Sequence, residues 1–226
     1  MKKINFYPLL WVLAFSACQP ARQTVTSMQV KTLKAVDLEE TLTRQDELLM
    51  AYTLTSYDQK GQAVAMAQGS WGIVEAKKGQ VFPETAFPKI QLQMPLNGKI
   101  VASLVLIEVD NYAKAQQTLT KLRTYNDYLK FPVGLAELAD VALTPLKYIS
   151  ISLSALGIGF QLADRLDDDD VLGEHQTVLT YVDAQQTPLR PVPVVFENSS
   201  FASSYRYELR YDLQSQSIQV KGKSRR

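Results

Sequence analysis

Residues 205–213 alternate strictly between two kinds of side chain, and this alternation restricts the fold more than any other feature of the sequence. The apolar and aromatic set is Tyr205, Tyr207, Leu209, Tyr211 and Leu213, and the charged set between them is Arg206, Glu208, Arg210 and Asp212. Successive side chains of a β-strand point to opposite faces, so a period of two predicts a strand with one buried face. The tyrosines either line the core or form a binding face for a sugar, a peptide or a partner, and we expect the core.

Two further segments predict strands joined by tight turns. Apolar residues alternate over 48–54, and the turn residues Asp58 to Gly61 predict a hairpin that returns through residues 63–67. Apolar residues alternate again over 90–94, and Asn97-Gly98 predicts a second hairpin.

The second hairpin leads into residues 100–109, which are nearly all apolar. A short continuous apolar run is typical of a strand that is covered on both faces, so we expect a central strand here. Residues 176–182 and 192–196 predict two more strands.

The period changes between residues 112 and 163. Apolar residues recur at three- and four-residue steps over 112–143, which predicts helix. Residues 145–163 fit both a strand and one helical stripe, and Thr144 followed by Pro145 favours helix as an N-cap with proline at the first helical position. Strands on both sides of this block predict a mainly β fold, an antiparallel β-sandwich with a helical insertion at about 112–163.

The N-terminus has the three parts of an export signal. Lys2 and Lys3 are followed by an apolar stretch over residues 6–15 and by the small pair Ser16-Ala17. The stretch is too short to span a bilayer, which needs about 20 apolar residues. Residues 1–17 are therefore predicted to be a signal peptide that is cleaved.

Residues 15–18, Phe-Ser-Ala-Cys, resemble the lipobox of bacterial lipoproteins, in which small residues precede a cysteine that is lipidated before cleavage. Cys18 is the only cysteine of the chain and stands where a lipobox requires one. The alternative is an ordinary signal peptide followed by a free thiol. The resemblance implies that Cys18 carries acyl chains, which hold a protein on a membrane with about 0.8 kcal/mol per buried methylene. Gln19 in place of Asp implies the outer membrane by the same resemblance.

Net charge and polar composition bear on the partner class and on the domain boundary. Cleavage removes Lys2 and Lys3 from 24 basic residues and leaves 23 acidic ones, so the mature net charge is about −1 and does not favour nucleic acid as a partner. Residues 18–29 are polar and predict a lipidated tether, which leaves 30–226 as the folded domain.

An aspartate-rich run before residue 171 is the candidate ligand site. It contains Asp164 and Asp167, Asp168, Asp169 and Asp170 and ends at Gly173. Calcium prefers six to eight oxygen ligands, and Asp110 at the end of the predicted central strand is a candidate from a second loop. The alternative is a solvated acidic turn.

Three features of the chain together are similar to C-two-type β-sandwich domains. They are a strand after Asp46, a central strand that ends in Glu108-Val-Asp110, and an acidic run that closes as Asp169-Asp-Val-Leu-Gly173. The resemblance implies a calcium-binding, aspartate-rich loop, in some members with phospholipid contact. This chain departs from the family at Asp58 to Gly61, where one aspartate stands in place of two.

Catalytic motifs are few. His175 is the only histidine, and a structural role at the start of a predicted strand is favoured over a general base. The sequence contains no nucleophile elbow and no phosphate-binding glycine loop. We therefore expect a binding or assembly lipoprotein of the cell envelope, rather than an enzyme, with a protein partner and calcium as its only candidate cofactor. The alternatives are a metal-free structural accessory lipoprotein of an envelope complex and, third, a hydrolase that uses His175.

Overall fold

The computed structural model describes residues 21–39, 45–109, 129–130, 171–199 and 204–220, and most of them lie in two antiparallel sheets. In chain order the strands are β1 (Ala21–Asp37), β2 (Gln45–Tyr57), β3 (Ala63–Lys77), β4 (Val81–Pro83), β5 (Ile90–Met94), β6 (Lys99–Glu108), β7 (Leu129–Lys130), β8 (Val171–Thr180), β9 (Leu189–Ser199) and β10 (Ser204–Val220). One turn of 3-10 helix (Glu84–Ala86) and the helix α1 (Tyr181–Gln186) complete the described elements.

The two sheets have five strands each. Sheet 1 has the order β4-β1-β10-β9, and β5 pairs with the same edge of β1 as β4 does. Its longest ladder joins β1 to β10, from Ala21 opposite Val220 to Asp37 opposite Arg206. Sheet 2 has the order β7-β3-β2-β6-β8.

One hydrophobic core lies between the sheets. Sheet 1 contributes alternate residues of β1 and β10, such as Met28 and Leu209, and sheet 2 contributes alternate residues of β2 and β6, such as Met50 and Leu104. Because both sheets bury one face in the same cluster, the architecture is that of a β-sandwich. The predicted mainly β, antiparallel class is confirmed.

The tyrosine stripe of β10 belongs to this core. Tyr207 and Tyr211 are 0% exposed, and Tyr205 is partly buried against the same cluster. The alternating charged residues lie on the other face, where Arg206 pairs with Glu197 and Glu208. The period of two therefore predicted both the strand and its buried face correctly.

The predicted central strand at 100–109 is β6, and it is buried on both faces. Leu104 and Leu106 face the core, while Val101 and Val105 on the opposite face of sheet 2 are also buried. β6 lies between β2 and β8, so it is an interior strand of its sheet.

Of the two predicted hairpins, one is confirmed and one is wrong. Asp58 accepts hydrogen bonds from the backbone N–H groups of Lys60 and Gln62, and Gly61 takes a positive φ of 78°, so β2 turns directly into β3. At Asn97, whose φ is 55°, the chain also turns sharply. There, however, β5 pairs with β1 in sheet 1 and β6 pairs with β2 and β8 in sheet 2. The turn chemistry was identified correctly, but the chain crosses between sheets because each strand pairs elsewhere.

The predicted boundaries also change. Residues 21–29 of the predicted tether belong to β1, which pairs there with β10 and β5, so the folded domain begins before residue 30. Of the predicted helical insertion at 112–163, Leu129–Lys130 forms β7 against β3, and the other residues lie outside the described part of the chain. The predicted strand at 176–182 is β8, which ends at Thr180.

The helix α1 was missed by the sequence analysis. Thr180 and Asp183 form a reciprocal capping box, in which each side chain accepts a hydrogen bond from the other residue's backbone N–H. That pairing satisfies two N–H groups that a helix start otherwise leaves unbonded.

Candidate functional site

The predicted acidic site lies outside the described residues, but the strands on either side of it are described. Asp110, Asp164 and Asp167 to Asp170 fall in the ranges that the structure does not describe. β6 ends at Glu108 and β8 begins at Val171, and Ile107 pairs with Val171. Residue 109 therefore leaves sheet 2 beside the point at which residue 171 enters it. This edge of the sandwich, which also contains Glu39 and Asp46, is called the Asp46 end below.

At the Asp46 end a buried hydrogen bond joins the two sheets. Asp46 at the start of β2 is 0% exposed, and its Oδ2 accepts hydrogen bonds from the Tyr207 hydroxyl and, at 2.8 Å, from the backbone N–H of Glu39. Burial, followed by the charges of Asp46, Glu108 and Glu39, raises the pKa of Tyr207 far above its usual range. Tyr207 is therefore a permanent donor that holds β10 against β2.

Two more tyrosine hydroxyls of β10 cross to β8. Tyr205 donates to the carbonyl of Leu172 at 2.9 Å, and Tyr211 donates to the hydroxyl of Thr177 at 2.8 Å. Leu172 lies at the start of β8 and Thr177 further along it, so β10 fixes at two points the strand that follows the aspartate-rich run.

His175 lies beside these contacts and is half-buried. Its Nε2 is 3.2 Å from the Thr177 hydroxyl, and its ring meets Tyr211 edge to face with centroids 6.0 Å apart. Burial lowers the pKa of His175, so the neutral imidazole is favoured. Within the described part of the chain no carboxylate pairs with it, so the neighbour that a hydrolytic base needs is not found among these residues.

Gly173, at which the aspartate-rich run ends in the sequence, lies inside β8. A Cβ at this position would be 2.1 Å from Cδ1 of Phe196. The glycine is required because the Phe196 ring of β9 packs directly on the β8 backbone, so it serves the packing of the two sheets.

A second candidate site lies at the seam between β5 and β3, on the opposite side of β1 from β10. A cavity of about 540 Å³ is lined there by both strands, and its wall includes Val25, Gln68, Lys89, Gln91, Leu92 and Gln93. The hydroxyl of Tyr52 in β2 donates to the carbonyl of Pro88, which holds the start of β5 against sheet 2. The volume is within the range of ligand-binding pockets, about 300–1,000 Å³. This site is called the seam cavity below.

Gln68 is the unusual residue of the seam cavity. It is 7% exposed, and both atoms of its carboxamide, Oε1 and Nε2, are buried without a hydrogen-bond partner. Buried polar side chains nearly always have a partner, because an unmet donor or acceptor costs about 1–3 kcal/mol.

Gln68 continues into a polar row on the outer face of sheet 2. It pairs with Thr53, which pairs with Ser103, and the hydroxyls of both are buried without a partner, as is that of Thr55 further along β2. Their neighbours on this face, such as Ala51 and Val105, are apolar and buried. The row is therefore a local departure from a dry, apolar surface.

Comparison with protein-family models, with curated proteins and with solved structures finds no match. Among the described residues, no three His, Cys, Asp or Glu side chains are grouped as a metal site requires. In the same part of the chain, no helix has the length and apolarity that crossing a bilayer demands. Function is therefore inferred from the residues of this chain alone.

Of the two candidate sites, only the acidic run is apparent from the sequence. The acidic run was visible because five aspartates stand in seven residues. The seam cavity was missed because its wall comes from β1, β3 and β5, which the sequence does not bring together. The signal that was available is the uncharged alternation Ile-Gln-Leu-Gln-Met over 90–94.

Proposed function

We propose that the chain is a lipoprotein of the bacterial outer membrane, anchored through Cys18, whose sandwich serves as a binding or assembly module. The lipobox at residues 15–18 supports the anchor, and the pairing of β6 with β8 supports the module. Because Ile107 of β6 pairs with Val171 of β8 at the Asp46 end, the chain leaves sheet 2 toward Asp110 beside the point at which it returns from the aspartate-rich run. Two acidic loops from one edge are the arrangement in which aspartate oxygens share a calcium ion.

The position of the proposed anchor determines whether this calcium contact faces the membrane or lies away from it. Only Gln19 and Pro20 separate Cys18 from the start of β1 at Ala21, a span of at most about 10 Å. The Asp46 end lies at the other end of β1, since Glu39 follows that strand and bonds to Asp46. A calcium-dependent contact at this end therefore faces away from the membrane that holds the lipid. Its target is a partner protein rather than the chain's own bilayer.

A helical insertion in a C-two-like sandwich is part of the same proposal. The segment at about 112–163 lies between β6 and β8, two neighbouring strands of sheet 2, and contributes Leu129–Lys130 as β7 at the far edge of that sheet, so the helices are proposed for the rest of it. The outer face of sheet 2 is buried, with Val105 at 0% and Met66 at 0% exposed. A covering layer of helices accounts for that burial.

Calorimetric titration of the full chain in detergent with calcium chloride tests the metal contact. Wild-type protein is expected to release or take up heat and to gain thermal stability with calcium, since a ligand that binds the folded state stabilises it. Asp167→Ala and Asp169→Ala are expected to lose the heat, and Asp212→Ala, on the outer face of β10, is the matched control. No heat and no change in melting temperature with wild type would remove calcium from the proposal.

A metal-free accessory role is the second candidate, and the seam cavity favours it. In this case the sandwich holds a partner protein through a sheet edge and needs no ion. Crosslinking in native membranes followed by capture of the chain separates the two roles. A stoichiometric partner that is retained in chelator supports the accessory role, while one that is lost in chelator supports the calcium contact. Capture of no partner under either condition would refute both.

A further inference from the structure

We propose that the end of the sandwich at which β1 begins lies against the lipid bilayer, with the side chains of Leu96 and Val182 inserted among the headgroups. This end is called the anchor end below. The proposal rests on the lipid anchor argued above and deepens it, because it names the surface that faces the membrane and the residues that hold it there.

Two loops lie side by side at the anchor end. The turn after β5 is there because Met94, the last residue of that strand, pairs with Thr24 near the start of β1. The helix α1 is there because the Gln185 side chain donates to the Thr24 hydroxyl at 3.1 Å. The two loops are joined directly, since the backbone N–H of Tyr181 donates to the carbonyl of Gly98 at 2.9 Å.

The most exposed apolar side chains stand on these two loops. Leu96 is 69% exposed and Val182 58%, which are the largest values for large hydrophobic side chains in the described part of the chain. They flank the hydrogen bond between Tyr181 and Gly98, so they are neighbours on one surface. Single exposed apolar residues are normal, but neighbouring ones on a surface indicate a contact. Ala184 is buried in the core and holds α1 in place beneath them.

The length of the tether selects the bilayer as the occupant. Gln19 and Pro20 separate Cys18 from Ala21 by at most about 10 Å, and Thr24 lies about 10 Å further along β1. A lipid on Cys18 therefore keeps the anchor end close to the headgroups. A folded partner does not fit into such a gap, because even a 100-residue domain has a radius of gyration of about 13 Å. The surface that reaches these side chains is the membrane itself.

The charges at the anchor end suit a membrane surface. Lys99 is exposed beside the turn after β5, and it pairs with Tyr57, which places the next turn, with the exposed Lys60, at the same end. Asp58 and Asp183 also lie there, and the carboxylate of each accepts hydrogen bonds from backbone N–H groups of its own loop. Apolar side chains next to lysines are the combination that binds the interface of anionic bilayers.

Site-directed fluorescence in vesicles tests the contact. Acylation consumes the thiol of Cys18, the only cysteine of the chain, so one introduced cysteine gives a single labelling site. The full lipidated chain with Leu96→Cys is labelled with the fluorophore NBD and reconstituted in vesicles of phosphatidylethanolamine and phosphatidylglycerol. Interfacial apolar groups lie about 5–10 Å into the boundary between headgroups and acyl chains, so a nitroxide on the upper acyl chain is expected to quench at least about half of the emission. Val81→Cys is the matched control, since it is 53% exposed and pairs with Lys34 near the other end of β1, and its label is expected to stay unquenched.

A second comparison tests whether the two apolar side chains cause the contact. The label is placed at the anchor end through Lys60→Cys, and Leu96→Ser and Val182→Ser are added together. This double variant is expected to lose most of the quenching while it stays on the vesicles, because the acyl chains still hold it. Val195→Ser, at a 48% exposed position of β9, is the control and leaves the quenching unchanged. Melting temperatures in detergent check that each variant is folded.

Three outcomes would overturn the proposal. The label at position 96 is quenched no more than the label at position 81, or the double variant keeps the quenching at position 60. In the third outcome the label at position 96 shifts to the blue without quenching, which would show that a second copy or another protein covers this end.

The anchor is checked on the same samples by vesicle flotation and by the acyl mass on Cys18. A chain that floats and carries this mass but shows no quenching leaves the lipoprotein assignment standing and removes the membrane contact. A chain without the acyl mass removes the lipoprotein assignment, and the contact falls with it.

Discussion

Removing one hydroxyl at Tyr207 should destabilise the protein more than removing the equivalent hydroxyl at Tyr211. Both residues lie on β10 and are 0% exposed, and both donate across to sheet 2. Replacement by phenylalanine leaves each ring in place, so neither variant opens a large cavity. The two differ in the acceptor, which is the Asp46 carboxyl for Tyr207 and the Thr177 hydroxyl for Tyr211.

The acceptor sets the magnitude of the loss. A hydrogen bond to a neutral group contributes about 0.5–1.5 kcal/mol to stability, and one to a charged group about 1.5–3 kcal/mol. Tyr207→Phe also leaves the fully buried Asp46 with one donor fewer, and a buried acceptor that loses its partner is costly. We expect a loss of about 2 kcal/mol for Tyr207→Phe and about 1 kcal/mol for Tyr211→Phe.

Equilibrium unfolding in guanidinium chloride measures the difference. Trp71 reports on the core by its fluorescence, since it is 6% exposed and its ring centroid lies 4.7 Å from that of Phe82. A double-mutant cycle with Asp46→Asn is expected to give a coupling energy of about 1 kcal/mol or more with Tyr207→Phe. Equal losses for the two phenylalanine variants, or no coupling to Asp46, would refute the assignment of this bond as the joint between the sheets.

Three other changes test the packing and the titration of the core. Thr53→Val replaces a buried hydroxyl that has no hydrogen-bond partner and should raise the free energy of unfolding by about 1 kcal/mol. Thr26→Val removes a hydrogen-bonded hydroxyl and should lower it by about as much. A lower free energy of unfolding for Thr53→Val would contradict the reasoning. Gly173→Ala should lower the free energy of unfolding in denaturant by about 1–3 kcal/mol because the new Cβ meets the Phe196 ring. Adding Phe196→Leu to the same chain should restore part of this free energy. An unchanged free energy of unfolding for Gly173→Ala would show that the ring has room to move. Burial lowers the pKa of His175, so below about pH 6.5 the unfolded chain binds more protons than the folded one. The stability that neutral His175 contributes is therefore full above about pH 6.5 and falls as the pH drops below it, and His175→Gln should flatten this part of a melting-temperature profile; an identical slope in the variant would show that other groups cause it.

Local pattern predicted the strands well, because side-chain period is a property of the strand itself. The alternation over 205–213 located β10 and its buried face, and the apolar run at 100–109 located an interior strand. The turn at Asp58 to Gly61 was equally local, since its hydrogen bonds lie within five residues.

Pairing between strands was not predictable in the same way. Asn97-Gly98 turns the chain whether β5 pairs with β6 or with β1. Which of the two pairings forms depends on the whole sheet. The polar stretch at 21–29 predicts a tether from its composition alone, but Thr24, Thr26 and Ser27 are buried there because the stretch pairs with β10, almost 200 residues away in the chain. The seam cavity depends on three such pairings at once, so no single segment indicated it.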